Sequence, residues 1–283
     1  MKDLCIRLVG LLLLAILPIS LAAAETGKDG GGFRRIVSLG PSLTESLYVL
    51  GVGGDIVGVT DRCRKPPEAR LKEKVGSVVE VNVEKITSLK PDLILATSLT
   101  QPRSVEKLKK LGLPVILFPA PTSFLGLGRQ FLELGRLVGK EKEALVILSG
   151  VEKEMQNIRR SLVGKKRPKV IIQAGANPLW IAPRQSFLND FIELAGGENV
   201  GPQGTNGRFS REKVLESRPE VILITTMGLI GEKEREIWKK YPSLPAVIQD
   251  RIYIIESDRF CSPTVVSFVK TLKEIIPLIH GKG

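Results

Sequence analysis

The chain has 283 residues, of which 43% are hydrophobic and 25% are charged, a composition that excludes disorder and coiled coil and suffices for two hydrophobic cores. Its glycines and prolines follow no fixed period, which excludes collagen. The formal net charge of +12 suits nucleic acid, an anionic surface or an anionic ligand, and composition alone does not choose among them.

Residues 1–24 have the pattern of a secretory signal peptide. The basic residues Lys2 and Arg7 precede the apolar run Leu8–Leu17, and small residues follow up to Ala24. An uncleaved membrane anchor is the alternative, because this segment approaches the length of a spanning helix. We predict cleavage after Ala24 and a periplasmic mature protein, without a lipid anchor because no cysteine stands at that junction. Export argues against nucleic acid as the partner.

Short apolar strands alternate with amphipathic helices along the mature chain. Helices are predicted at Ser42–Leu50 and Ser104–Leu111. Because strands separated by helices need crossover connections, we predict an α/β fold with parallel sheets. The predicted strands are Ile36–Leu39, Asp55–Val59, Leu93–Thr97, Val115–Phe118, Val170–Gln173, Val221–Thr225 and Ile252–Glu256.

A longer helix separates the two series of strands. We interpret it as a rigid connector (140–164) between an N-terminal lobe (25–139) and a C-terminal lobe (165–283); the alternative is a surface helix of one large domain. Its apolar stripe, spaced by three and four residues between about Lys140 and Val163, consists of Ala144, Leu148, Val151, Met155, Ile158 and Leu162.

An internal repeat supports two related lobes. Val83–Leu95 aligns with Arg211–Leu223 without a gap, and in both copies a cap candidate, Asn82 or Ser210, opens a short helix with a glutamate in its first turn. Two lobes of the same build, joined once, predict a cleft between them.

The residues that catalysis needs are mostly missing from the sequence. The single histidine, His280, lies in a C-terminal tail that we expect to fray, which leaves little for a serine triad or a histidine metal site. No serine hydrolase, nucleotide-phosphate, zinc-protease or C-x-x-C motif occurs. We therefore predict that the protein is not an enzyme and holds no resident metal or cofactor. An exported enzyme with an unrecognised site is the less favoured alternative.

Cys63 and Cys261 remain after removal of the signal segment. An oxidising compartment favours a disulfide. Each cysteine, however, follows a predicted strand and should lie where α/β sheets bind ligands. We favour two thiols at the cleft.

Five segments that follow one another along the chain together resemble the iron-siderophore and cobalamin class of periplasmic substrate-binding proteins. These are the helix-linked class III components of ABC importers. The resemblance covers essentially the whole mature chain. It implies two α/β lobes joined by one long helix, a ligand held between them, modest hinge motion, a monomer, and an inner-membrane permease with its ATPase as partner. The segments are Arg34–Glu45, Pro66–Ala69, Val81–Ile86, Leu89–Ile94 and Ala195–Val200.

The resemblance also assigns a role to the repeated glutamates. Glu84 and Glu212 match acids, one on each lobe, that dock onto arginines of the permease. The alternative is that each glutamate only complements the dipole of its own helix.

Within this class the likeness to cobalamin binders is greatest, which implies a corrinoid ligand whose metal belongs to the ligand. By that match Trp180 and Phe260 offer flat faces to a macrocycle, and Asp258 accepts a hydrogen bond at its edge. Trp180 as a core residue and Asp258 as a helix cap are the alternatives. Arg62, Lys65 and Val78 stand where the family's pattern has aromatic residues.

A basic rim favours a different ligand. Arg62, Arg64, Lys65 and Arg259 suit a ferric siderophore, or a haem with its carboxylates, at least as well as a corrinoid. We rank the corrinoid first, the ferric siderophore second and haem third, because no histidine or tyrosine is placed to ligate iron.

Overall fold

The computed structural model of the chain describes residues 32–225 and 231–281. The predicted signal segment 1–24 lies outside these residues. Among the residues described, no helix combines the length and the apolar character that crossing a membrane requires.

The first lobe is built on a five-stranded parallel sheet in the order β3-β2-β1-β4-β5. The four strands predicted here are confirmed to within one residue, and β3 adds a short edge strand that the sequence pattern does not show. The elements are β1 Ile36–Ser38, α1 Pro41–Val49, β2 Ile56–Val59, β3 Glu73–Lys74, α2 Val83–Ser88, β4 Leu93–Thr97, α3 Pro102–Lys110, β5 Val115–Phe118 and α4 Phe124–Leu137.

The second lobe has a sheet in the order β10-β9-β6-β7, with β8 also paired to β6. Its strands are parallel except β7, which forms an antiparallel hairpin with β6 because the two residues between them cannot make a crossover. The elements, starting with the connecting helix, are α5 Glu141–Ser161, β6 Lys169–Ala176, β7 Leu179–Ile181, α6 Phe187–Leu194, β8 Glu198–Asn199, α7 Arg211–Ser217, β9 Val221–Thr225, α8 Gly231–Lys239, α9 Pro245–Ile248, β10 Ile252–Ile255, α10 Ser257–Cys261 and α11 Val265–His280.

The connecting helix α5 confirms the predicted apolar stripe. All six stripe residues belong to or pack against the largest hydrophobic core, with Ala144 and Ile158 buried. Its 21 residues give a length of roughly 30 Å. The helix packs on α4 and α11, and Gly135 of α4 allows close approach, since a Cβ there would lie 2.6 Å from the Cβ of Ala144.

A cluster of aromatic side chains joins the two lobes. Phe124 at the start of α4 stacks on Phe268 of α11, with ring centroids 4.5 Å apart, and Phe191 of α6 stacks on the same ring at 4.1 Å. The Oδ2 atom of Asp190 accepts a 2.7 Å hydrogen bond from the backbone N–H of Phe124, and burial raises the pKa of this carboxyl. The main core is therefore continuous from one lobe to the other.

The internal repeat is visible as repeated geometry. Asn82 and Ser210 each accept a hydrogen bond from the backbone N–H three residues later, at 2.9 and 3.3 Å. Lys90 and Arg218, which occupy equivalent positions, both have left-handed backbone conformations with φ of 47° and 49°. Since non-glycine residues rarely adopt this region, the shared conformation confirms that the two segments are built alike.

The acid that follows each left-handed residue fastens neighbouring strands. The Asp92 carboxylate accepts hydrogen bonds from the backbone N–H groups of Arg34 and Arg35, at 2.7 and 2.9 Å, beside the start of β1. In the second lobe the Glu220 carboxylate accepts from the backbone N–H of Lys169 at 2.9 Å, at the start of β6. Each acid thereby ties the entrance of one central strand to its neighbour.

We predict that Asp92→Ala and Glu220→Ala each lower the free energy of unfolding by about 1–2 kcal/mol, because backbone donors lose a charged acceptor. The two losses should add, since the sites lie in different lobes. Urea unfolding followed by circular dichroism measures both. The control Glu216→Ala, on the exposed face of α7, should change stability little; an equal loss in the control would contradict the assignment.

Candidate functional site

A cavity of about 270 Å³ lies between the lobes, at the carboxyl ends of β2 and β10. In α/β sheets ligands bind beyond the carboxyl ends of the strands. The residues that line this cavity are Pro41, Glu45, Arg62, Arg64, Lys65, Glu256, Asp258, Arg259, Ser262, Ser267, Lys270 and Thr271.

The lining of the cavity is charged, with five cationic and three acidic side chains and no aromatic residue among those described. The loop after β2 contributes Arg62, Arg64 and Lys65, all exposed. The second lobe contributes Arg259 from α10 and Lys270 from α11. The excess of cations makes the cavity suited to an anion.

One ion pair bridges the cavity. Lys65 Nζ of the first lobe lies 3.7 Å from Asp258 Oδ2 of the second, and both side chains are at least half exposed. Arg259 instead pairs within its own lobe, with Glu274 and, at 3.8 Å, with Glu256. Within residues 32–225 and 231–281, neither Arg62 nor Arg64 has a carboxylate at ion-pair distance. These two guanidinium groups are available to an incoming acid group.

Glu45 is a member of the site that the sequence reasoning missed. It lies on α1, is partly buried, and faces α11 of the other lobe. Burial raises the pKa of its carboxyl, while Lys65, the Ser267 hydroxyl and Lys270 act in the opposite direction. The only available signal was that Glu45 is the single charged residue of the predicted helix Ser42–Leu50.

The structure brings together five of the predicted ligand contacts and leaves two apart. Arg62, Arg64, Lys65, Asp258 and Arg259 all line the cavity. The two aromatic residues do not.

Phe260 and Trp180 occupy other environments. Phe260 is 0% exposed and makes an edge contact with Phe191, with centroids 4.8 Å apart, so the prediction that its face meets a ligand is wrong in this structure. Trp180 lies in β7, partly buried, and bridges to Arg208 against the backbone of Gly207. Its role toward a ligand stays a prediction.

Both cysteines are thiols, which confirms that no disulfide joins Cys63 to Cys261. Cys63 does not face the cleft as expected: it is 0% exposed, and its Sγ atom lies 3.1 Å from the hydroxyls of Thr44 and Thr60. Cys261 is exposed as a residue, but burial around its sulfur raises the pKa of the thiol to about 11. At neutral pH it is protonated and a poor nucleophile.

His280 does not fray as expected. It ends helix α11, and its Nε2 atom lies 2.8 Å from the carbonyl oxygen of Ala195. The ring thus fastens the last helix to the end of α6. No group of three potential metal ligands occurs in the described part of the chain.

The two repeated glutamates stand on exposed first turns of α2 and α7. Hydrogen bonds from its own backbone N–H and from the Ser210 hydroxyl lower the pKa of Glu212, which keeps this residue charged. Glu84 borders a surface groove of about 440 Å³ that Arg103 and Lys107 also line.

The helices that carry these glutamates are anchored differently. Beside Glu212, Arg211 donates to the buried carboxylate of Glu234 at 2.7 Å and lies over the Trp238 ring, 4.6 Å from its centroid. Glu234 also accepts a 2.7 Å hydrogen bond from Gln173 of β6. In the first lobe the residue equivalent to Arg211 is Val83, which packs in an apolar cluster. Both helices bury apolar side chains, and α7 is held by this polar network in addition.

Comparisons with known proteins agree with this architecture. The periplasmic binding protein family profile matches residues 36–259. An uncharacterized ABC transporter substrate-binding lipoprotein of Bacillus subtilis is 29% identical over 255 residues, covering 86% of this chain and 80% of the relative. A vitamin B12-binding protein of Yersinia pseudotuberculosis is also 29% identical, over 222 residues, covering 77% of this chain and 76% of the relative.

A solved structure shows the same fold. The apo periplasmic heme-binding protein of a Roseiflexus species superposes with a TM-score of 0.78 at 23% identity, covering 88% of this chain and 98% of that one. The predicted fold class, two α/β lobes of the helix-linked type, is confirmed.

Glu45 generates a pH prediction. Because burial raises the pKa of Glu45 above its ordinary value of 4.5, the folded protein binds a proton that the unfolded chain releases, and stability falls as pH rises through this window. The free energy of unfolding of Glu45→Gln relative to wild type should therefore increase as pH rises from about 4.5 through the folded-state pKa. Urea unfolding at several pH values measures this difference. A flat difference for Glu45→Gln over this pH range would contradict the prediction.

Proposed function

The chain belongs to the periplasmic binding protein family, whose members here are substrate-binding components of ABC transporters, and we propose that its cleft captures a metal chelate bearing several acidic groups. The observation that carries this proposal is the cavity lining, in which Arg62 and Arg64 have no carboxylate at ion-pair distance among the described residues. The ligand class is that of the anionic ferric siderophores.

Guanidinium chemistry supports this choice. Arginine binds carboxylates and related oxygen anions through two parallel hydrogen bonds, which adds geometric selectivity to charge. Arg62 and Arg64 come from one loop, and Arg259 and Lys270 lie on the opposite wall. An anionic chelate between the lobes would meet cations on both sides.

A corrinoid is the second candidate, and the likeness to the vitamin B12-binding protein of Yersinia favours it. The aromatic surfaces expected for a macrocycle do not support it, since Phe260 is in the core and Trp180 is absent from the cavity lining. Haem ranks third, because the described lining contains no histidine or tyrosine to bind the iron.

Capture needs some opening of the cleft. The cavity of about 270 Å³ is smaller than most pockets for organic ligands, which measure roughly 300–1,000 Å³. The Lys65–Asp258 pair crosses this space, so a ligand acid that binds Lys65 would replace Asp258. We expect small hinge motion, because the aromatic cluster holds the lobes together.

After capture, the ligand is delivered to a membrane permease. An exported, monomeric protein would pass its ligand unchanged, without catalysis, to a permease with its ATPase in the inner membrane. Glu84 and Glu212 support this step, since each presents an exposed carboxylate at a repeated position. A two-fold permease offers two equivalent sites to such a pair.

We predict that the chain from Glu25 to Gly283 binds an anionic ferric siderophore one to one, with a change in tryptophan fluorescence and visible absorbance. Arg62→Glu with Arg64→Glu should weaken binding at least about tenfold, because charge-assisted hydrogen bonds are lost. The matched control reverses two exposed cations of α5, Arg159→Glu with Arg160→Glu, and should bind normally.

Parallel titrations with cyanocobalamin and haemin distinguish the candidates. Saturable binding of cyanocobalamin alone would replace the siderophore by the corrinoid, and Trp180→Ala would then be the next variant. Binding of none of these ligands would contradict the proposed ligand classes.

Charge reversal at both docking positions, Glu84→Lys with Glu212→Lys, should abolish uptake by cells and leave ligand affinity intact, since neither residue lines the cleft. Glu133→Lys with Glu216→Lys, on exposed faces of α4 and α7, makes the same change of charge as a control. Transport of labelled ligand measures the effect. Normal uptake by the docking variant would rule out this role.

A further inference from the structure

The helix α3 carries a concentration of positive charge on its surface. Its nine residues include Arg103, Lys107, Lys109 and Lys110, against a single acid, Glu106. All four cations are exposed, and Leu108 is the one residue of this helix that is buried. The spacing of Arg103, Lys107 and Lys110 by four and three residues places these cations on one stripe.

These charges are not neutralised within the described part of the chain, where no carboxylate lies at ion-pair distance from any of the four cations. The corresponding helix of the second lobe behaves differently. On α8, which follows the equivalent strand β9, Arg235 pairs with Glu232 at 2.5 Å and Lys239 pairs with Glu236 at 2.8 Å. The excess positive charge is therefore a property of the first lobe's helix.

Apolar side chains are exposed next to these cations. Leu111, which follows α3, is 53% exposed, and Leu99, just before it, is 64% exposed. Val79 is 47% exposed and adjoins the same segment, since its carbonyl accepts a 3.0 Å hydrogen bond from the backbone of Gln101. We call the surface formed by Arg103, Lys107, Lys109 and Lys110 with Leu99 and Leu111 the α3 face.

We propose that the α3 face binds the surface of a bilayer that contains anionic phospholipids. Charge complementarity supports this partner, because each Lys or Arg held near such a surface contributes about a fivefold gain in affinity at moderate ionic strength. Exposed leucines beside the cations can enter the boundary between headgroups and acyl chains. The inference goes beyond ligand capture and requires neither a ligand nor a permease.

The form of the α3 face favours a lipid surface over an acidic protein. Its cations are exposed, and no described carboxylate or buried network holds them in one geometry, in contrast to Arg211 on α7. Exposed cations that are not held in one geometry suit a diffuse layer of phosphates better than a single acidic site. Arg103 and Lys107 also border the groove next to Glu84, so a docked molecule would bring this face toward the membrane.

Flotation with lipid vesicles tests the proposal. The chain from Glu25 to Gly283 is mixed at low ionic strength with vesicles of phosphatidylcholine, either pure or with about a third phosphatidylglycerol. We expect binding only to the vesicles with phosphatidylglycerol, and weaker binding as salt increases. The triple variant Arg103→Ala, Lys107→Ala, Lys110→Ala should lose roughly a hundredfold in affinity.

The matched control removes three exposed cations of the connecting helix, Lys142→Ala, Arg159→Ala and Arg160→Ala, with the same change in net charge. It should bind vesicles nearly as well as wild type. An equal loss in both variants would show that only net charge matters and would overturn the proposal. Absence of binding to anionic vesicles, or equal binding to pure phosphatidylcholine, would overturn it as well.

Two further measurements separate this result from the proposed function. Ligand titration of the α3 variant should be unchanged, because its residues lie outside the cleft, and thermal melting checks that it folds. If the variant keeps vesicle binding but loses uptake, the face contacts a protein and the lipid proposal is wrong. The vesicle assay gives the same answer whether the ligand is a siderophore or a corrinoid.

Discussion

The contact between the two lobes rests on stacked phenylalanines. Phe268 of the last helix lies between Phe124, where the first lobe leads into the connecting helix, and Phe191 of the second lobe. Burying such large rings makes a strong contribution to stability, and their close packing resists displacement. Because Phe268 is adjacent on α11 to Ser267, which lines the cleft, the lobes can tilt slightly but cannot slide apart without exposing the cluster. Ser267 and Thr271, which line the cavity from the same helix as Phe268, are positioned by this contact.

The cavity above that cluster contains charges from both lobes. Glu45 and Lys65 of the first lobe face Asp258 and Lys270 of the second, so in this structure part of the charge is neutralised across the gap. Water and exposed geometry keep such pairs weak individually. They are therefore easily replaced by ligand groups, whereas the aromatic cluster is not. The molecule thus combines a rigid aromatic contact between the lobes with ion pairs in the cavity that a ligand can replace.

Periodic and local features were predictable from the sequence. The stripe on α5, the strands β4, β5 and β9, and the caps at Asn82 and Ser210 follow from spacing and from hydrogen bonds over a few residues. The burial of Phe260 was not predictable, because a short helix brings it against a ring 69 positions earlier in the chain, at Phe191. The role of Glu45 was not predictable either, because its neighbours Lys65 and Lys270 are distant in the chain and come from both lobes. Three residues of the basic rim, Arg62, Arg64 and Lys65, were predictable as a group because they are neighbours on one loop.

The ion pair between Lys65 and Asp258 has a consequence for selectivity among small ions. A solute with one negative charge that approaches Lys65 must displace Asp258, so it exchanges one attraction for another of similar strength. Chloride or acetate thus gains little from binding at Lys65. A solute with several acid groups can replace Asp258 and still reach Arg62 and Arg64, which adds net attraction. At Lys65 the internal pair therefore favours a solute with several acid groups over a solute with one.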